Sequence, residues 1–368
     1  MTGRSSIIMS SALVVVLSLG TAAADLSESL EKGTPELKSA GPIAFGPDGV
    51  LFVADPWGAA VFAIDSGDKG PAVKGEFSVE KIDAKVAALL GTTASEIEIQ
   101  DLAVNPASGN AYLSVARGRG PDAKPALVKV ARDGKLSLVE LKGVKFARTE
   151  LPDAPSPEAE GRGGRLRAES ITDVAFVDGR VLVAGLSNEE FASTLRSIPY
   201  PFKADAKGAS VEIYHGAHGA FETRSPVRTF TSFDIGGEPH VLAAYTCTPL
   251  VKFPLKELKP GSHVKGTTIA ELGNRNRPLD MIVYKKDGKD FILLANNNRG
   301  IMKITTEDID SAGPILARVE GGGPEGLSYE TIEGWEGIHQ LDRLDDGHAL
   351  VMRRDDDGAF HLESRRLP

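Results

Sequence analysis

One phrase recurs six times along this chain: an apolar run, a turn built on Asp-Gly or a close variant, and a second apolar run. A repeat at this scale restricts the fold more than any other feature. The first copy reads Pro42-Ile43-Ala44-Phe45, the turn Pro47-Asp48-Gly49, a strand at 50–54, Asp55, and a third strand at 60–64. Strand, Asp-Gly turn, strand is a strong short-range hairpin signal. The phrase returns around Ser108-Gly109-Asn110, Asp178-Gly179, Gly236-Gly237, Asp287-Gly288 and Asp346-Gly347.

The copies recur about every 52 to 72 residues, each with three or four short strands. The main helical exception is 82–90, with apolar residues at Ile82, Val86, Leu89 and Leu90. Four-stranded units at this spacing fit propeller blades, whereas a β-sandwich would not repeat one phrase six times. The expected fold is therefore all-β: a six-bladed β-propeller of four-stranded antiparallel blades over residues 41–368, after a lead-in at 25–40. Two insertions are expected in the third blade. Residues 144–170 are polar and rich in Pro, Gly, Glu and Arg, and 187–203 carry Phe191, Leu195, Ile198, Tyr200 and Phe202. Long loops in a compact domain are usually functional or mobile, so these are candidates for a lid or docking surface.

Residues 1–24 have the layout of a cleaved secretory signal: Arg4, an apolar run at 7–19, and Ala22-Ala23-Ala24 before Asp25. The run is shorter than the roughly 20 residues a bilayer span needs, and no later segment suffices either. A periplasmic or secreted protein without an integral membrane segment is expected. Cleavage removes only Arg4 among charged residues, so the net charge goes from −9 to −10 (−9 − 1), which argues against nucleic acid as a partner. Cys247 is the only cysteine. A disulfide, a CxxC redox pair and a CxxCH haem site are thereby excluded.

Phe45-Gly46-Pro47-Asp48-Gly49-Val50-Leu51-Phe52-Val53-Ala54-Asp55 resembles an NHL-type repeat, as does the segment 279–304 with Ala295-Asn296 in place of Ala-Asp. The resemblance implies a superfamily of six-bladed propellers that includes binding scaffolds, strictosidine synthase-like proteins, and the gluconolactonase and paraoxonase hydrolases. Gluconolactonases place a metal-binding Asn or Asp before a Gly, in phrases like Asn-Gly-Leu-Ala-Phe. Here Gln100, Thr172 and Leu279 hold that position and Asp101, Asp173 and Asp280 replace the Gly, so that metal set does not carry over.

By analogy with propellers generally, the loops between strands two and three and those entering strand one gather at one face. The first set brings Asp55, Arg117, Asn188, Cys247, Asn296-Asn297-Asn298 and Arg353; the second brings Asp101, Asp173, Arg277, Asp280 and, by turn alignment, His339. Asp101, Asp173 and Asp280 each precede an apolar triplet at the mouth of an inner strand. Converging carboxylates with Asn296 and Asp55 would suit calcium; equally, such an Asp can cap a turn through backbone N–H groups. Arg117, Arg277, Arg353 and Asn297 are the candidate ligand-binding residues, because guanidinium groups recognise carboxylate and phosphate. His215 and His218 have H-x2-H spacing, a weak zinc signal, and are expected as exposed loop histidines on an outer hairpin of the third blade. Two functions follow. One is a binding or interaction scaffold for a small anionic ligand or a periplasmic partner protein. The other is a calcium-dependent hydrolase of a lactone or sugar acid, with His339 as base. Whether the chain is an enzyme is open at this point.

Overall fold

The computed structural model describes residues 25–72, 75–161, 163–203, 206–247 and 249–368. The expected export signal at 1–24 lies outside the described residues. Six sheets of four to six strands are the blades, with one two-stranded ribbon, Glu160–Gly161 with Gly164–Arg165, beside them. Their inner strands are Ile43–Phe45, Ile97–Val104, Asp173–Val177, Thr229–Ile235, Pro278–Lys286 and Ile338–Arg343. The six-bladed, antiparallel architecture is as the repeat implies, and the helix expected at 82–90 is Ile82–Leu89.

Each blade is covered on both faces by its neighbours, so the middle of its second strand is a continuous apolar run rather than an alternating one. In the first blade, Val50 to Asp55 are all buried. Strand geometry then sends alternate side chains to opposite neighbours. Val50, Phe52 and Ala54 pack against Val181, Val183 and Ile198 of the third blade. Leu51 and Val53 pack against Ala103, Tyr112 and Leu127 of the second. Phe52 stacks on Phe176 at 5.3 Å between ring centroids. Burying each such side chain stabilises by roughly 1.5–3 kcal/mol.

Those contacts fix a ring order that departs from chain order. The second copy sits between the sixth and the first, and the first sits between the second and the third. Two long-range strand additions make this possible. Val144–Glu150 pairs with Ala60–Asp65 as an outer strand of the first blade, with Glu31–Gly33 outside it. Ser78–Val79 pairs with Phe360–Arg366 to complete the sixth.

The third-blade insertions expected at 144–170 and 187–203 are accordingly corrected. Residues 144–150 belong to the first blade. Ser193–Pro199 is the third strand of the third blade itself, its apolar residues being core. Leu151 and Ala154 also enter the core, and Asp153 pairs with buried Arg196 at 2.7 Å, anchoring the stretch after the first-blade strand.

The crossing from the first blade to the sixth runs over the second, where Asp68 ties it down. The Asp68 carboxylate accepts from Ser108 Oγ (2.9 Å), Asn110 Nδ2 (2.9 Å) and Tyr112 Oη (3.0 Å) and pairs with Lys129 Nζ (2.9 Å). Burial raises its pKa, but the bonds from Asn110, Lys129, Ser108 and Tyr112 outweigh that and hold it below the ordinary value. Asp68→Ala leaves those buried donors without an acceptor, and we expect a loss of about 3 kcal/mol. Urea unfolding would measure it, and a loss near zero would remove Asp68 as the anchor of the crossing.

Candidate functional site: the axial channel

The inner strands surround a channel of about 580 Å³, opening towards Asp345 and Asp346, that continues past a ring of aspartates into a smaller mouth of about 260 Å³. Asp101, Asp173 and Asp280 line both compartments, and Asp342 lines the larger. An inner strand is the edge of its sheet, so its channel-side N–H groups have no ladder partner. The aspartates meet that need across the seams between blades. In each, Oδ1 accepts the N–H of the following residue: Leu102 (2.8 Å), Val174, Met281 and Arg343 (2.7 Å each). Oδ2 accepts an N–H of the next blade's inner strand. Asp101 takes Ile43 (2.7 Å), Asp173 Phe230 (2.7 Å), Asp280 Leu341 (2.8 Å) and Asp342 Val104 (2.7 Å).

Depth in the channel governs the acidity of these groups. Burial, reinforced by the charges of Asp173 and Asp342, raises Asp101 well above the ordinary carboxyl value. Burial and then the charges of Asp101 and Asp173 do the same to Asp280. Burial lifts Asp173 to about 7 and Asp342 to about 6, although backbone hydrogen bonds pull the other way.

Asp342 was not singled out from sequence. It lies four residues before Asp346, whereas Asp280 lies seven before Asp287, so aligning the copies on their turns puts His339 in its place. Asp342 is the second-last residue of Ile338–Arg343 and is followed by Arg343-Leu344-Asp345, so the apolar triplet that marks the other three is absent.

The other expected residues lie elsewhere. Asp55 is 1 % exposed and accepts from the main-chain N–H groups of Lys38, Ser39 and Gly58 at 2.8 Å each, closing the turn after its strand. Asn296, at the same point of the fifth blade, accepts from Asn298 N (3.0 Å) and Arg299 N (3.2 Å). Neither lines the channel. The NHL-like Ala-Asp and Ala-Asn phrases are thus turn closures. His339 lies in a side groove with Asp83, Arg119, Met352 and Arg354, edge-on to Phe360 at 5.2 Å. Burial and then the Arg354 charge lower its pKa. Arg353 is paired with Glu363 at 2.9 Å, and Arg117 is exposed at the end of its strand. Cys247 donates its main-chain N–H to Asn276 O at 2.8 Å.

Arg277 does reach the mouth. Asn297 fixes its backbone from both sides, Oδ1 accepting Arg277 N at 2.7 Å and Asn297 N donating to Arg277 O at 3.1 Å. Arg228, Glu169, Thr172, Gln100 and Gln340 line the same mouth. Arg228 is held by Glu169 at 2.7 Å, while among the described residues no carboxylate lies within ion-pair distance of Arg277. Burial and the Arg228 charge lower the Arg277 pKa, against the pull of Glu169.

No protein-family model matches the chain, and no curated protein does either. Among solved structures it is similar to the soluble aldose sugar dehydrogenase of Escherichia coli in its apo form, at 10% identity, TM-score 0.34, over 92% of this chain and 100% of that one. It is also similar to the PQQ-bound aldose sugar dehydrogenase of Streptomyces coelicolor (11%, 0.33, 91% and 96%). A third is Drosophila Plexin A in complex with Semaphorin 1b (11%, 0.40, 92% and 87%). Likeness of this order carries no inference about chemistry.

A carboxyl whose folded-state pKa exceeds its unfolded value stabilises fully below the unfolded value, and that contribution is lost as pH rises through the folded one. For Asp173 the window runs from 3.8 to about 7. We expect the wild type to shed stability across it relative to Asp173→Asn, the difference in slope amounting to about one proton. Urea unfolding of both proteins at about pH 5 and pH 7.5 tests this. Parallel slopes would show that Asp173 titrates like an exposed carboxyl.

Proposed function

We propose that this chain is an exported binding scaffold that takes a small anionic ligand, a carboxylate or phosphate, at the axial mouth. The observation that carries the reading is Arg277: a guanidinium set by Asn297 beside Arg228, partly desolvated, with no carboxylate partner among the described residues. A desolvated guanidinium gains most from a ligand that offers two oxygens in its plane. Gln100, Gln340 and Thr172 add neutral hydrogen-bonding capacity around it. Export rests on the signal layout of residues 1–24 and agrees with the lack, among the described residues, of any helix long and apolar enough to cross a membrane.

A second reading has calcium within the ring of Asp101, Asp173, Asp280 and Asp342, serving hydrolysis of a lactone or sugar acid. Its support is the mutual repulsion of the ring, which a cation would relieve. Against it, every one of these carboxylates already accepts two backbone N–H groups, and His339, the base it would need, is off the axis.

Thermal unfolding separates the two. Inorganic phosphate, succinate and citrate at about 10 mM should raise the melting temperature of the wild type, since a ligand bound only by the native state must do so. Arg277→Gln should weaken the best of them by about tenfold or more. No shift with any of the three, or an equal shift in Arg277→Gln, would sink the anion reading. A rise with millimolar calcium that Asp280→Asn abolishes would favour the second.

A further inference from the structure

A second cluster of chemistry-bearing side chains lies away from the channel, on the outer edge of the third blade. The strands Ala209–His215 and Ala220–Glu222 form a tight hairpin in which Ile213 pairs with Glu222 and His215 with Ala220. Side chains two apart share a face, so His215 and Glu222 are diagonal neighbours on one side of the hairpin. The turn returns His218 to the same spot. His218 N and Gly219 N both donate to His215 O, at 3.1 and 2.8 Å, with Gly219 at a φ of 68° that suits glycine. Glu222 Oε1 ends 3.1 Å from His215 Nδ1 and 2.5 Å from His218 Nδ1, and the two imidazole centroids are 3.8 Å apart. Glu222, four residues after His218 in sequence, is thus brought onto both imidazoles by the register of the hairpin, and the expectation of two exposed loop histidines is corrected for His215, which is buried in its strand.

We propose that His215, His218 and Glu222 form a binding site for a borderline divalent transition cation, with Zn2+ as its probe. Each residue offers one ligand atom, and the three atoms lie within 4.8 Å of one another. Two nitrogens and one oxygen suit zinc, whereas calcium prefers oxygen alone. Three protein ligands leave a fourth position, and the His218 side chain, 53 % exposed, leaves the cluster open to solvent on its side.

Independent support comes from buried atoms that lack partners. His215 is 2 % exposed, yet its Nε2 has no hydrogen-bond partner. Glu271, from the adjoining fourth blade, is fully buried; its Oε1 accepts Gly216 N at 2.5 Å, and its Oε2 has no partner. Buried polar atoms without partners are rare in folded proteins and call for an ion or water. Glu271 thus puts a second carboxylate in the seam, on the main chain between the two histidines. Ser225 Oγ donates to the other Glu222 oxygen at 2.5 Å, which orients the carboxylate.

Calorimetric titration of the purified protein with Zn2+ tests the assignment. One equivalent should bind, and His218→Ala should weaken binding by about tenfold or more. His218 is the choice for mutation because its side chain is exposed, and thermal unfolding of the variant checks that it folds. Glu222→Gln, which keeps the shape and removes the charge, should weaken it similarly, while Asp280→Asn in the channel should leave it unchanged. The proposal is overturned if the wild type binds no zinc at about 100 μM. It is equally overturned if His218→Ala and Glu222→Gln bind as the wild type does, or if Asp280→Asn abolishes binding.

Discussion

Backbone N–H groups at the inner edge of each blade set the terms for this fold. An inner strand has a ladder on one side only, and its other edge faces a narrow channel where unpaired donors are costly. Asp101, Asp173, Asp280 and Asp342 answer this with one oxygen for their own strand and one for the next blade, so a local turn cap becomes a link across a seam. The links lead from the second blade to the first, the third to the fourth, the fifth to the sixth and the sixth to the second. Burial in the channel pushes the pKa values of all four up, and for Asp101 and Asp280 the neighbouring carboxylates add to it. The channel is consequently less negative near neutral pH than its composition suggests, and the guanidinium groups at the mouth are not cancelled by the ring beneath them.

Closure of the ring depends on strands far apart in sequence. The first blade needs Val144–Glu150, and the sixth needs Ser78–Val79. Non-local pairings of this kind carry a large loop-closure entropy before they return any contact energy, which makes such topologies slow to fold. The polar network of Asp68 acts at that weak point. It holds the crossing segment against the second blade, so the short strand at 78–79 is presented to the sixth blade rather than left to find it.

The repeat made the blades legible because hairpin turns and apolar strands are local signals. Ring order was not legible, because nothing local in residues 66–77 says that the chain skips to another blade. Asp101, Asp173 and Asp280 were readable as a recurring position, but Asp342 was not, since the hairpin of the sixth blade is shorter and the turn is a poor ruler for the strand mouth. Asp55 and Asn296 read as ligands because their residue types fit. Their oxygens are in fact taken by the turns they close, which depends on main-chain geometry that composition does not report. Arg277 was readable as a loop arginine; that no carboxylate among the described residues lies within ion-pair distance of it is a tertiary property.

The same contrast separates the two acidic clusters. A carboxylate whose oxygens both accept backbone N–H groups is already solvated by the fold, and a cation must compete with donors that cannot move away. The aspartates of the channel are of this kind. Glu222 is different: its near neighbours are imidazoles, whose bridging protons a metal can displace while the rings themselves become ligands. Buried atoms without partners accompany Glu222 at His215 and Glu271, whereas the channel aspartates have theirs in place. A divalent transition ion should therefore prefer the outer seam to the axis even though the axis holds more carboxylates, because the availability of lone pairs outweighs their number.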